Sequence, residues 1–385
     1  MTSFEFATAA CVVFGAGSRR RAGELCSTLG RRVLIVTGTS LARADWLLPL
    51  LEERGIAVHQ MATAGEPTIP LVTRGAATAR EHGCDTVIAV GGGSAIDAGK
   101  AIAALATNQD DVFEYLEVIG RGAPLREAPL AFMAIPTTAG TGSEVTRNAV
   151  LASPEHRVKV SLRSAAMLPR IALVDSELAQ GVPSGVAAAS GLDALTQLIE
   201  AYVSRRANPM TDALCLAGIP LIAQSIRAAC ADGAHAEARD AMALGALWSG
   251  MALAHAGLGA VHGLAGPIGG MFDAPHGAVC AALVPHVVAA NLRALCAEDA
   301  GSAAVSRFST LSRLLSADGN ATPAAVAPWL LDLTHELGIP ALRTYGMAAR
   351  DVPPLAARAL QSNSMKTNPV SLTEEQLARI VEAAL

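Results

Sequence analysis

The chain has 385 residues, 51% of them hydrophobic and 16% charged, with a mean hydropathy of +0.38; this excludes a disordered protein and leaves room for two cores of ordinary size. Its 29 Lys and Arg against 34 Asp and Glu give a net charge of -5 without any basic block, which argues against nucleic acid as a partner. No run of eighteen uninterrupted apolar residues occurs and no Lys or Arg precedes an apolar stretch at the start, so neither a membrane span nor a secretory leader is expected.

Short β-branched runs alternate with helical stretches in the first half. Arg32–Thr37 reads as a buried strand ending at Gly38, 55–58 as a second, 85–90 as a third, 130–136 as a fourth and 171–175 as a fifth. That alternation predicts a parallel sheet with helices on both faces. From about Pro183 the β-branched runs stop, and Ala- and Leu-rich stretches continue to Leu385. This half is expected to be all helix, with 191–204 and 237–253 the clearest helices. The expected domains are an α/β unit over 1–180 and a helical unit over 181–385. Seven scattered cysteines (Cys11, Cys26, Cys84, Cys215, Cys230, Cys280 and Cys296), none in a C-x-x-C pair, read as reduced thiols of a cytoplasmic protein.

Val90-Gly91-Gly92-Gly93-Ser94-Ala95-Ile96-Asp97-Ala98-Gly99-Lys100 follows the third strand and opens a helix. Glycines let backbone approach a phosphate, and the N–H groups of a first helical turn favour its charge. The same residues also suit a plain tight turn. The dinucleotide fingerprint is interrupted at Ile96, and the P-loop pattern at Ser94 and Ala101. A second loop, Pro136 to Glu144, follows the fourth strand and gathers glycines with the hydroxyls of Thr137, Thr138 and Ser143, useful donors to phosphate and ribose. Two such loops at strand ends suggest a nucleotide at the carboxyl edge of the sheet.

In the helical half, Asp193 lies in an apolar stretch where a carboxylate needs a partner, and Gln197 is one helical turn on, on the same face. His262 and His276 bracket a Gly- and Pro-rich passage. One carboxylate and two imidazoles form a common donor set for a divalent metal with an open position, although each His taken singly is more often a hydrogen-bonded core residue. Cys280 reads as an apolar buried thiol.

Together, Gly91-Gly92-Gly93-Ser94 with Asp97 and Lys100, the Pro136 to Glu144 loop, Leu173-Val174-Asp175, Gly191-Leu192-Asp193-Ala194 and the His262 to Gly277 passage resemble the iron-containing (group III) alcohol dehydrogenases, relatives of glycerol dehydrogenase and dehydroquinate synthase, over nearly the whole chain. The resemblance implies a Rossmann-like N-terminal domain and an all-helical, metal-binding C-terminal domain with a catalytic cleft between them. It implies hydride transfer between NAD or NADP and a small alcohol or aldehyde, with Fe2+ or Zn2+ as Lewis acid, in a homodimer. By position, Gly92, Gly93 and Ser94, with Asp97, belong to the pyrophosphate loop; Thr137, Thr138 and Ser143 line the cofactor site, and Lys159 reaches the ribose region. Asp193, His262 and His276 match three of four metal ligands and form the catalytic centre.

Three departures stand out. Gln197 occupies the place of the family's fourth ligand, a His, and its amide oxygen is a weaker, neutral donor. Gly266 stands where the family usually has a further His near the nicotinamide. Many NAD-preferring relatives carry an acidic residue just after the strand that here ends at Thr37, whereas this chain continues Gly38-Thr39-Ser40. These residues suit a 2′-phosphate or an ordinary polar turn equally well, so NADP stays open beside NAD. Rival readings are a maleylacetate-reductase-like, metal-independent reductase, a dehydroquinate-synthase-like lyase, for which the helical half is poor in Lys, and a nucleotide-binding relative that has lost its metal. Retention of Asp193, His262 and His276 favours the dehydrogenase.

Overall fold

β-Branched runs bounded by glycines and polar residues form the sheet of the first unit, as seen in a computed structural model that describes residues 3–156 and 158–385. The strands are β1 (Cys11–Phe14), β2 (Arg32–Thr37), β3 (Ala57–Ala62), β4 (Thr86–Gly91), β5 (Ala131–Pro136), β6 (Asn148–Ser153), β7 (Val158–Arg163) and β8 (Ile171–Val174). Six of them form one parallel sheet in the order β1-β8-β5-β4-β2-β3, and β6 pairs antiparallel with β7. Successive side chains of the central strands enter opposite cores. Leu34, Val36, Val87, Ala89, Phe132 and Ala134 pack on one face, and Val33, Ile35, Ile88, Val90, Met133 and Ile135 on the other.

The register sets the position of the loops. Thr37 lies opposite Val90 and Gly91 opposite Pro136, so the chain leaves β2, β4 and β5 at one level. The chain runs outward from β2 to β3 and then returns to the other side of β2 at β4, which makes the β2/β4 boundary the topological switch point, where ligands of open α/β sheets bind.

Three elements differ from the sequence expectation. β1 and the β6–β7 hairpin were not expected. β3 begins at Ala57 rather than 55, because Gly55 forms a turn at φ +64°, and it runs on through His59, Gln60 and Met61. An edge strand carries polar residues that break the apolar run.

The chain divides into two compact units, Ala7–Gln180 and Gly181–Leu385, the described residues before Ala7 grouping with the second. Phe6 stacks on His255 with ring centroids 4.3 Å apart. The second unit is helical; its longest helices are Ser184–Val203, Pro209–Ala231, Ala236–Ala256 and His276–Asp299, with Ala260–Met271 between the last two. Small residues let these helices approach closely in an aromatic-poor chain. A Cβ on Gly218 would lie 2.8 Å from Leu198, and one on Gly245 2.4 Å from Ile222.

The interrupted apolar runs do not by themselves exclude a membrane-spanning length. Pro209–Ala231 and His276–Asp299 are each long and apolar enough by length and composition to cross a membrane. Isolated Arg, Asp and His residues interrupt the apolar runs without lowering the mean hydropathy of these helices enough. In His276–Asp299 that apolar surface is largely spent inside the protein, with Leu283, Val284, Val287 and Val288 buried.

Candidate active site

Asp193, Gln197 and Glu200 lie at i, i+4 and i+7 on the Ser184–Val203 helix, so they share one face, and all three are buried. His262 sits in the first turn of Ala260–Met271. His276 is the first residue of its helix, and Cys280 follows one turn later. The three helices bring Asp193, His262, His276 and Cys280 together with one donor atom of each within 4.8 Å of all the others. Gly277 permits this approach: a Cβ there would fall 2.5 Å from the Ala189 carbonyl oxygen and 3.4 Å from Asp193 Cβ.

Glu200 does two things at this centre. Its Oε1 accepts from the Val261 N–H (2.7 Å), one of the N–H groups that a helix start leaves without an intrahelical partner. Its Oε2 lies 2.6 Å from His262 Nδ1. A carboxylate only accepts, so His262 carries a proton on Nδ1 and presents Nε2 to Asp193 and Cys280. Asn368 accepts from the neighbouring Ala260 N–H at 3.0 Å.

Gln197 departs from the role expected of it. Its Nε2 donates to Asp193 Oδ2 at 3.0 Å, and its Oε1 faces Ser249 Oγ at 2.7 Å. Reversing the amide would set two oxygens face to face at Asp193, so the carboxylate dictates the orientation. The amide thus supports Asp193 and offers the cluster no lone pair; the fourth donor in reach is the Cys280 sulfur.

Asp193 Oδ1 is buried and has no hydrogen-bond partner among the described residues. His262 Nε2 stands 3.4 Å away and His276 Nε2 3.8 Å away. Such an oxygen is costly unless a cation satisfies it, and a carboxylate, two imidazoles and a thiol suit a divalent transition metal. The residues therefore fit the metal that the family resemblance implies.

Electrostatics agree with that fit. Burial pushes Asp193 up, but the adjoining His262 and His276 outweigh it and hold the carboxyl below its usual range. Burial pulls His262 down, yet Cys280, Asp193 and Glu200 together carry it well above 6.5. His276 is pushed up to about 9, first by the Cys280 sulfur beside it, against burial, and then by Asp193. Because these imidazoles bind protons more tightly folded than unfolded, their contribution to the metal-free fold is complete below 6.5, and that of His276 is lost as pH rises through about 9. Two results are expected: the melting temperature of the chelated protein falls across that window, and metal uptake at neutral pH releases protons, measured by calorimetry in buffers of different ionisation enthalpy. Uptake without proton release would refute the second.

In the first unit, Gly38, Thr39 and Ser40 follow β2, with Thr39 and Ser40 exposed. The Gly93–Thr107 helix starts directly after β4 with Gly92 as its cap residue and no side-chain cap, which leaves its first N–H groups available to an anion. The loop after β5 closes on it. A Cβ on Gly92 would lie 3.2 Å from Thr138 Oγ1, and one on Gly93 2.7 Å from Thr141 Cγ2, while the Thr137 N–H donates to Gly91 O at 2.9 Å. Ser94 lies in the first turn of that helix.

Asp97 and Ser143 are bonded to each other. Ser143 Oγ donates to Asp97 Oδ1, the Val150 N–H donates to Oδ2 at 2.9 Å, and Lys100 Nζ is 3.2 Å from Oδ1. Both carboxylate oxygens are engaged by protein, so Asp97 positions the loop and the hairpin. Lys100 is fully buried and donates to Ser143 O (3.0 Å) and Thr146 Oγ1 (2.9 Å). Burial raises the nearby Glu144 carboxyl to about 7. Lys159, on β7, pairs with Glu66 at 3.0 Å.

Two family models match the chain, "Iron-containing alcohol dehydrogenase" over residues 9–176 and "Fe-containing alcohol dehydrogenase family, C-terminal" over residues 187–385. The chain is 38% identical over 381 residues to the 1,3-propanediol dehydrogenase of Klebsiella pneumoniae, covering 96% of each chain. It is 32% identical to the NAD-dependent methanol dehydrogenase of Bacillus methanolicus over the full length of both. The crystal structure of a 1,3-propanediol oxidoreductase superposes with a TM-score of 0.92 at 34% identity, covering all of both chains. The chain therefore belongs to the iron-containing alcohol dehydrogenase family and is an oxidoreductase.

Proposed function

We propose that the protein interconverts a small aliphatic alcohol and its aldehyde with NAD or NADP, Asp193, His262 and His276 holding Fe2+ or Zn2+. The observation that carries this reading is the buried, unsatisfied Asp193 Oδ1 facing two imidazole nitrogens. A bound divalent ion supplies Lewis-acid polarisation of the substrate oxygen, and the nicotinamide supplies or accepts the hydride. Asp193 contributes negative charge, Glu200 fixes the ring of His262, and Gln197 fixes Asp193. Gly266 offers a proton no side chain and leaves the transfer to water or another group.

Gly92, Gly93 and Ser94 take the pyrophosphate in this reading, supported by the uncapped helix start, while Thr137, Thr138 and Lys159 border the cofactor and Ser143 holds the loop. Gly38-Thr39-Ser40 places no negative charge after β2, so a 2′-phosphate meets no repulsion. The substrates named for the relatives above, a propanediol and methanol, support a short alcohol. All seven cysteines are free, in keeping with a cytoplasmic enzyme; the homodimer rests on the family resemblance and is checked by light scattering.

Freshly purified protein is expected to carry about one metal ion per chain. It should oxidise both NADH and NADPH in the presence of short aldehydes, lose that activity on chelation and regain it with Fe2+ or Zn2+. Full turnover after complete chelation would sink the metal assignment. Thr39→Asp is expected to weaken NADPH use about tenfold or more while sparing NADH, through like-charge repulsion.

A further inference from the structure

The reading above leaves Cys280 without a role. Its sulfur is buried and stands 3.7 Å from His276 Nε2 and 3.8 Å from His262 Nε2. It leaves the same helix face as His276, one turn on. Bonds of about 2.0–2.3 Å from a tetrahedral zinc place neighbouring donors roughly 3.3–3.8 Å apart. Four of the six separations fall in that interval, 3.4 Å and 3.8 Å from Asp193 Oδ1 to the two imidazoles and 3.7 Å and 3.8 Å from the imidazoles to the sulfur, and all the donors lie within 4.8 Å of one another. Gln197 meanwhile spends its amide on Asp193 and Ser249.

We propose that Cys280 is the fourth protein ligand of the metal, as thiolate, beside Asp193, His262 and His276, and that it tunes the site toward zinc. The proposal rests on the reading that these three residues hold a divalent ion. As the metal–sulfur bond forms, the thiol proton leaves to solvent, and no oxidation or reduction takes place. Asp193 and the thiolate together balance the two positive charges of the ion. A soft sulfur donor favours zinc over Fe2+ relative to an oxygen donor in the same place. The His276 side chain, 37% exposed, marks the face left for a further, exchangeable ligand.

Cobalt(II) reports on sulfur ligation directly. After chelation, the full-length protein loaded with one equivalent of Co2+ is expected to show an intense thiolate-to-cobalt charge-transfer band in the near ultraviolet, besides the weaker visible bands of a low-coordinate ion. Cys280→Ser and Cys280→Ala are expected to abolish that band, and Gln197→Ala to keep it. Cys280→Ser should lower zinc affinity by about tenfold or more, at least the loss seen for residues that only support a ligand. Binding of cobalt without the band, or a band that survives in both Cys280 variants, overturns the proposal and leaves the three-residue metal centre standing. Failure of wild-type protein to bind cobalt or zinc at all overturns both. Circular dichroism of each variant shows whether a missing band reflects lost ligation or lost fold.

Discussion

His276→Ala is expected to yield a folded protein holding less than about a tenth of a metal ion per chain, with turnover lowered about a thousandfold. His276 opens its helix and keeps 37% of its side chain exposed, so truncation leaves no large buried void. What is lost is one of two imidazoles that converge on Asp193. Lewis-acid stabilisation is worth several kcal/mol, and each 1.36 kcal/mol is about tenfold in rate, which sets the expected size. Elemental analysis with steady-state kinetics, and circular dichroism as a control, decide it. A variant that keeps both its metal and its rate would show that the ion binds elsewhere.

Lys100→Met should destabilise the first unit by about 3–5 kcal/mol, the usual cost of breaking a buried ion pair from one side. The Lys100 ammonium donates to Ser143 O, Thr146 Oγ1 and Asn148 O and pairs with Asp97. Burial lowers its pKa, against Asp97 and Glu144, which raise it. Methionine fills the space and satisfies none of those oxygens. Because Ser143 and the Gly93–Thr107 helix start are both tied to this knot, KM for the nicotinamide cofactor should rise with the loss of stability. Denaturant unfolding and cofactor titration measure the two effects; unchanged values for both would show that the knot carries no load.

The strands that could be read from sequence over nearly their full length are those buried on both faces. β2, β4, β5 and β8 show unbroken apolar runs because helices cover each side of the sheet. β1 and β3 lie at its edges, and β6 and β7 are half exposed, so their residues mix with polar ones and the pattern fades. In the second unit the helices are apolar over most of their surface, which erases the polar stripe that would mark each boundary.

At the site, Asp193, His262 and His276 were legible by residue type, and their convergence required three dimensions. Two further signals were present in the spacing. Glu200 falls seven residues after Asp193, on the same helical face, and Cys280 four after His276. Neither was decisive alone, because a thiol in an apolar stretch reads first as packing and a carboxylate reveals its partner only when the Ala260–Met271 helix is in place. Asp97 has a role that spacing could not reveal. Its position in a glycine-loop helix suggests a ligand contact, and only the hairpin, through the Val150 N–H, shows that the carboxylate also binds protein.

The donors of the metal centre come from helices that are far apart along the chain, Asp193 on one side and the His276 and Cys280 pair on the other. An ion held there closes a loop of about 80 residues, and in chain-entropy terms such a cross-link restricts the unfolded state by about 4 kcal/mol, as a disulfide of similar span would. The ion thus acts as a removable staple for the helical unit. Metal supply during folding then governs the lifetime and yield of the enzyme as well as its rate, and thermal stability becomes a gauge of how fully the protein was loaded.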